Sequence, residues 1–119
     1  FGFSHAAIST HGKLLHLAGQ VAWNAKGELV GPGDLAAQTR QSLANLGAVL
    51  KAANATARDI VRLRTYVVDH SPEKLGVVIP ELMKFYGDAT PAPNTLIGVA
   101  ALALPDFLIE IEATAQLRE

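Results

Sequence analysis

The sequence predicts a single-domain α+β fold in which two helices cover one face of a single β-sheet. Helical periodicity is confined to two stretches, one following residue 34 and the other following residue 71. Runs rich in β-branched residues precede, separate and follow these stretches. A chain of 119 residues is long enough to bury one core and too short for two, so we expect one domain over residues 1–119.

Composition restricts the classes of function. Half of the residues are hydrophobic, which is apolar for so small a domain and favours burial of one face against further copies. A net charge of -1 provides no basic face, so a nucleic-acid partner is not expected. The absence of cysteine excludes disulfides and thiolate chemistry and is typical of a cytoplasmic protein. No apolar run reaches membrane-spanning length and no signal peptide is apparent, so no membrane partner is expected either.

The first element predicted is a β-hairpin. Residues 6–9 and 14–18 have strand character and flank a turn at His11 and Gly12. The second strand is expected to continue to Trp23, through Gly19. A glycine at this position indicates a bulge, a close approach of backbone to a ligand, or simply a strand end.

The first helix is predicted over residues 35–53, with Asp34 as its N-cap and Asn54 as a left-handed residue at its end. Gln38 is expected to face away from the sheet. The apolar stripe facing the sheet consists of Leu35, Thr39, Leu43, Leu46, Leu50 and Ala53.

A strand over residues 60–68 follows, which completes a β-α-β unit. The second helix is predicted to begin with Ser71 as cap and Pro72 at its first position. Pro80 should kink or split this helix, and Gly87 should end it.

The last two strands are predicted as a pair around Leu104, Pro105 and Asp106, which have turn chemistry. The final strand alternates in character, so one of its faces is apolar and the other carries two carboxylates. The apolar face consists of Phe107, Ile109, Ile111, Ala113 and Ala115; the other consists of Leu108, Glu110, Glu112 and Thr114. This second face is uncovered by helices and is a natural surface for oligomerisation.

No reaction follows from the residues alone. The four histidines lack a metal-ligand spacing, and the sequence contains neither a phosphate-binding loop nor a Gly-x-Ser-x-Gly elbow. Arg62, Arg64 and Tyr66 form either a salt-bridged sheet face, which is the commoner case, or an anion site. Glu110 and Glu112 have the same ordinary interpretation, as solvated carboxylates facing those arginines. We therefore expect no metal and leave the chemistry of this face open.

Four segments, in this order and spacing, resemble the Rid family (YjgF/YER057c/UK114) over essentially the whole chain. They are residues 18–21 (AGQV), 34–46 (DLAAQTRQSLANL), 59–62 (DIVR) and 104–113 (LPDFLIEIEA). The resemblance implies a chorismate-mutase-like α+β fold and a homotrimer with a central β-barrel. It also implies small-molecule clefts between subunits and a reaction that needs no cofactor.

The best-known activity of the family is hydrolysis of reactive enamines and imines, such as 2-aminoacrylate, to ketoacids and ammonia. Those members carry an arginine just after the Pro-Ala that opens the penultimate strand, and it binds the substrate carboxylate. Residues 91–95 of this chain, PAPNT, contain no arginine, so it resembles an arginine-lacking branch. Arg62 or Arg64 is the alternative carboxylate anchor. Further departures are Ala18 for a serine, His5 for a tyrosine and an apolar residue near Ile79 for an asparagine.

The resemblance implies a site with Glu110 as the catalytic residue. The implied ligand-binding residues are Gly19, Asn94, Thr95, His5 and Ala18. Two functions remain open: a hydrolase of an imine or enamine other than 2-aminoacrylate, and a non-catalytic trimer that binds a metabolite or a partner protein. The older endoribonuclease and translation-inhibitor label is disfavoured by the net charge and by the lack of a basic, aromatic patch.

Overall fold

The computed structural model describes residues 2–10 and 12–118; Phe1, His11 and Glu119 lie outside the description. The elements are, in order, β1 (Leu14–Gln20), α1 (Leu35–Ala52), a 3-10 turn (Ala57–Asp59), β2 (Ile60–Val68), α2 (Pro72–Tyr86), β3 (Asn94–Val99) and β4 (Ile109–Gln116). The four strands form one sheet in the order β1-β4-β2-β3. Strand β4 is antiparallel to both of its neighbours, whereas β2 and β3 are parallel. The two helices pack against one another and against one face of this sheet, which confirms the predicted α+β fold class.

The core lies between the helices and the sheet because β4 alternates as predicted. Its residues 109, 111, 113 and 115 are buried, while the residues between them are only partly buried. The remaining core side chains come from the neighbouring strand and both helices: Leu63, Val67, Leu43, Leu46, Leu50, Val78 and Leu82. This alternation places Glu110 and Glu112 on the face of the sheet that no helix covers.

Helix α1 begins where the sequence predicts. The Asp34 carboxylate accepts a hydrogen bond of 3.0 Å from the Ala37 amide, and Asn54 has the left-handed φ of 59° expected after the helix. The outward orientation predicted for Gln38 is wrong, because this residue is fully buried. Its amide donates to the carbonyl oxygens of Gly31 and Asp106, at 3.1 and 3.0 Å, and accepts from the Leu108 amide at 2.9 Å. Gln38 thereby satisfies buried loop groups and fixes the turn that leads into β4.

Helix α2 begins at Pro72, but Ser71 does not cap it with its side chain. The Ser71 hydroxyl instead bonds the Glu73 carboxylate, which lowers the pKa of Glu73. Pro80 does not split the helix, which continues to Tyr86, so that part of the prediction is wrong. A proline removes one backbone hydrogen bond, and the buried residues Val78 and Leu82 on either side of it hold the helix in place.

The predicted hairpin is wrong, because residues 6–10 form no strand. The Ser4 amide donates to Ala92 (3.2 Å) and Ser4 pairs with Pro93 beside β3, whereas Leu14 pairs with Gln116 at the opposite edge of the sheet. The intervening segment therefore crosses from one edge of the sheet to the other instead of pairing with β1. The turn predicted at His11 lies outside the described residues.

Two further differences concern strand ends and pairing. Strand β1 ends at Gln20, and Trp23 belongs to a separate bridge with Leu29. The last two strands are not a pair, because β2 lies between β3 and β4. Asp106 does adopt a turn conformation, with φ of 74°. The long-range pairing of β4 with β1 and β2 therefore outweighs the local turn signal.

Candidate functional site on the open sheet face

We use the term open face for the side of the sheet opposite the helices. Its side chains project from all four strands and include both carboxylates of β4 and both arginines of β2. They are His16 and Ala18 from β1, Glu110, Glu112 and Thr114 from β4, Arg62, Arg64 and Tyr66 from β2, and Thr95 and Ile97 from β3.

Glu110 lies directly over the backbone of Gly19. A Cβ atom added at Gly19 would be 2.0 Å from the Glu110 Oε2 atom and 2.6 Å from its carboxyl carbon. The β1–β4 pairing is irregular between Leu17 and Gln20, so a bulge brings the Gly19 backbone toward the carboxylate. The register shift beside Gly19 agrees with the bulge interpretation, and Gly19 also lies next to the last residue of β1. The group that approaches it closely is Glu110.

The two carboxylates of β4 have different partners. The Tyr66 hydroxyl donates a hydrogen bond to the Glu112 carboxylate, although Tyr66 stands directly opposite Glu110 in the strand register. Within residues 2–10 and 12–118, the Glu110 carboxylate accepts no hydrogen bond and forms no ion pair. Glu112 is therefore held by the sheet, and the Glu110 carboxylate is available to a ligand or a water molecule. Sequence reasoning placed Tyr66 on the correct face but did not identify its bond, because the strand register was unknown.

Asn94 and Thr95 lie at the start of the edge strand β3. Asn94 faces the helices, and its Oδ1 accepts a 3.1 Å hydrogen bond from the Thr65 hydroxyl, whereas Thr95 is exposed. Both residues line a cavity of about 370 Å³ between β3, α2 and the N-terminal segment. The other lining residues are apolar: Phe3, Leu75, Ile79, Leu82 and Leu96. This cavity provides an apolar wall and only two polar side chains.

His5 and Ala18 belong to different parts of the surface. The His5 ring packs edge-on against Phe3, with 5.7 Å between ring centroids. His5 also lines a second cavity of about 350 Å³, which Pro93 and Arg62 share. Ala18 is exposed and precedes Gly19 in β1.

The six predicted site residues thus fall into two groups. The carboxylate cluster consists of Ala18, Gly19 and Glu110; the edge cluster consists of His5, Asn94 and Thr95. Glu110 stands opposite Tyr66, which stands opposite Ile97, two residues beyond Thr95. With about 4.8 Å between strands and about 3.3 Å per residue, the backbone at Thr95 lies roughly 12 Å from that at Glu110. Within one chain the two clusters therefore start from backbone positions roughly 12 Å apart, on strands that β2 separates.

Arg62 and Arg64 form no ion pair within the described part of the chain, so the salt-bridged interpretation of this face is wrong there. Arg64 stands directly opposite Glu112 in the register, yet Glu112 is bonded to Tyr66. A cavity of about 190 Å³ lies beside the two arginines, with Glu112 and Thr114 among its lining residues.

Neither a metal-binding cluster nor a membrane-spanning helix is found among the described residues. Outside positions 1, 11 and 119, no group of three or more histidine or acidic residues is arranged to hold a metal ion. Neither helix over this part of the chain combines the length and apolar character needed to cross a membrane.

The chain belongs to the Rid (YjgF/YER057c/UK114) family: the family model described as Endoribonuclease L-PSP matches residues 1–117. A curated relative, the 2-iminobutanoate/2-iminopropanoate deaminase of Escherichia coli K12, is 36% identical over 108 residues. That match covers 90% of this chain and 82% of the relative.

Solved structures support the same family. A Rid-family protein of unknown function, YyfB from Yersinia pestis, is 62% identical, with a TM-score of 0.95 over 98% of this chain and 87% of that one. Escherichia coli TdcF with bound serine is 25% identical, with a TM-score of 0.80, covering 95% of this chain and 92% of that one. Some family members are therefore imine deaminases, and one fold neighbour binds a small amino acid.

Proposed function

We propose that this chain assembles as a homotrimer whose clefts between subunits bind a small imine or enamine and hydrolyse it without a cofactor. The observation that carries the proposal is the separation of the two clusters within one chain. A substrate of a few atoms is too small to bridge roughly 12 Å. It contacts both clusters at once only if the carboxylate cluster of one copy lies beside the edge cluster of another. The deaminase activity of the Escherichia coli relative supports the reaction class.

Glu110 is the residue to which we assign the chemistry. Its unpaired carboxylate accepts a proton from a water molecule, whose oxygen forms a bond to the imine carbon as the C=N electrons move to nitrogen. Glu110 then gives this proton to the nitrogen, which yields a neutral carbinolamine. As the C–N bond breaks, the carbinolamine hydroxyl forms the carbonyl group and its proton passes through Glu110 to the nitrogen, which leaves as ammonia. Gly19 leaves the space that the carboxylate occupies, and Glu112 remains bonded to Tyr66.

We further propose that the substrate is not 2-aminoacrylate. A carboxylate entering the cleft must lose water, and an arginine compensates with charge-assisted hydrogen bonds of about 1.5–3 kcal/mol each. Asn94 and Thr95 provide neutral hydrogen bonds, which contribute about 1 kcal/mol each. The neighbouring cavity is lined by Leu75, Ile79 and other apolar side chains, so it favours an uncharged substituent.

The first test compares substrates. An amino-acid dehydratase generates 2-aminoacrylate, and amine or amino-acid oxidases generate a panel of other imines. We expect catalytic efficiency on 2-aminoacrylate about tenfold to thousandfold below that of the Escherichia coli deaminase, with higher efficiency on an imine lacking a carboxylate. Equal efficiency of the two proteins on 2-aminoacrylate would refute the substrate proposal. Saturable binding without turnover across the panel would instead establish the non-catalytic alternative.

The second test addresses the shared cleft. Light scattering should give three times the chain mass of 12.6 kDa. Glu110→Gln and Thr95→Trp chains, each inactive alone, are then co-assembled. Random mixing should leave about one cleft in four with both clusters intact, which restores part of the activity. A site within one chain predicts no recovery, because every such site retains one defect.

A further inference from the structure

The cavity of about 370 Å³ beside the edge cluster has its floor on the helix side of the sheet. Leu82 is 2% exposed and belongs to the core between α2 and the sheet, and Leu96 packs against that core. Side chains alternate along β3, so Asn94 and Leu96 face the helices while Thr95 lies on the other side. A neighbouring copy that meets the edge cluster therefore covers the mouth of the cavity at Thr95, while the floor belongs to this chain.

The N-terminal segment forms another wall of this cavity and is attached on both sides of Phe3. Before Phe3, the backbone passes close to α2, since a Cβ atom added at Gly2 would lie 3.6 Å from the Ile79 Cγ2 atom. After Phe3, the Ser4 amide donates a 3.2 Å hydrogen bond to the Ala92 carbonyl oxygen. These contacts keep the Phe3 side chain at the cavity.

The walls of the cavity are hydrocarbon apart from Asn94 and Thr95. Among residues 2–10 and 12–118, those that line it include no charged side chain. A charged or polar group entering this space would lose water without gaining a partner, whereas every apolar carbon buried there is favourable. The cavity volume lies within the range of small-molecule pockets and exceeds what an imine group of a few atoms fills.

We propose that this cavity is a subsite for a large apolar substituent of the substrate, and that Ile79 and Phe3 limit the size of that substituent. The inference rests on the proposed function, because it places the reacting C=N group at the mouth, between Thr95 and the Glu110 carboxylate of a neighbouring copy. The substrate class is then an imine whose carbon carries an uncharged hydrocarbon group, as large as an isobutyl or benzyl group.

A series of imines that differ only in this substituent tests the subsite. An amine oxidase generates the methyl, ethyl, isobutyl and benzyl members from ethylamine, propylamine, 3-methylbutylamine and 2-phenylethylamine. The disappearance of each imine above its spontaneous hydrolysis gives kcat/KM. We expect the isobutyl and benzyl imines to exceed the methyl imine about tenfold to hundredfold, at roughly fourfold per added carbon. Equal kcat/KM across the series would overturn the subsite and leave the proposed hydrolysis intact.

Ile79→Phe narrows the cavity and should lower the ratio of kcat/KM for the benzyl imine to that for the methyl imine about tenfold. Val49→Phe is the matched control, because Val49 is an exposed apolar residue of the other helix and lines none of the cavities described above. This control should retain the ratio of the unaltered protein. An unchanged ratio in Ile79→Phe, or an equal fall in Val49→Phe, would contradict the proposal.

Binding of unreactive analogues separates the subsite from the reaction. Acetamide and phenylacetamide carry the methyl and benzyl substituents on a neutral amide, and each is titrated into the complete protein by methyl NMR. Phenylacetamide should bind at least about tenfold more tightly, with the largest shifts at Ile79, Leu82 and Leu96. This result without turnover of any imine would refute the proposed hydrolysis and retain the subsite. Equal or undetectable binding of the two amides would overturn the subsite.

Discussion

Two charged regions of this molecule, one on the helices and one on the open face, are built in opposite ways. On the helices, the buried carboxylate of Glu81 accepts two hydrogen bonds from Arg40, of 3.2 and 3.0 Å, and lies 3.8 Å from Lys84. The bond from Arg40 lowers the pKa of Glu81 and raises that of Arg40. On the open face, Glu110 has no such partner among the described residues. The comparison indicates that the charge of Glu81 stabilises the fold, whereas the charge of Glu110 is available for chemistry.

The largest effect on catalytic efficiency is expected from Gly19→Ala, which tests whether the position of the Glu110 carboxylate matters. A methyl group in Gly19→Ala would lie 2.0 Å from the Glu110 carboxylate, so the carboxylate must move by about 1 Å or more. A displacement of that size costs about hundredfold in catalytic efficiency. The melting temperature should change little, because Glu110 is only half-buried. Unchanged turnover of the preferred imine would show that the position of Glu110 is irrelevant to the reaction.

The helix cluster should respond in stability rather than in activity. Glu81 has a folded-state pKa below its ordinary value of 4.5, so its ion pair stabilises the protein above that pH. The stabilisation is lost as the pH falls through the lower folded-state pKa. Arg40→Gln should therefore lower the melting temperature at neutral pH, and the difference should shrink below pH 4.5.

Arg64→Gln is the control on the open face. Because Arg64 has no partner among the described residues, this substitution should leave the melting temperature unchanged across the same pH range. A pH-independent deficit for Arg40→Gln, or an equal deficit for Arg64→Gln, would mean that the two regions do not differ as described.

The smallest effect is expected at a glycine of the helices. Gly76 lies within α2, and a Cβ added there meets no atom within 4 Å. Gly76→Ala should raise the free energy of unfolding by about 0.5–1 kcal/mol, because alanine loses less backbone entropy in a helix. Chemical denaturation measures this change. Destabilisation would indicate a contact that the structure does not contain.

Local signals predicted the individual elements well. Asp34 marks the start of α1, Pro72 marks the start of α2, and the alternation of β4 correctly assigns Ile109 and Glu110 to opposite faces. These features are predictable because helix caps and strand alternation are determined by residues that are close together in the sequence. The order of these elements predicted the α+β class, and the resemblance to a known family added the expectation of a chorismate-mutase-like fold.

Long-range features were not predictable in this way. The insertion of β4 between β1 and β2, and the crossing of the N-terminal segment, depend on hydrogen bonds between distant residues. Gln38 looked like a surface residue because its bonding partner Asp106 lies 68 positions along the chain. For the site, the sequence suggested Glu110 but not its contact with Gly19, which requires both the bulge and the register of β1 on β4.

The central claim is that Glu110 acts on the ligand while Glu112 supports the sheet. The most direct measurement compares Glu110→Gln with Glu112→Gln in turnover of the same preferred imine and in thermal unfolding. We predict that Glu110→Gln lowers kcat/KM about hundredfold or more and leaves the melting temperature unchanged. Glu112→Gln should leave most of the activity and lower the melting temperature, because Tyr66 loses a charged acceptor. Equal losses of activity in both variants, or a loss only in Glu112→Gln, would contradict the account.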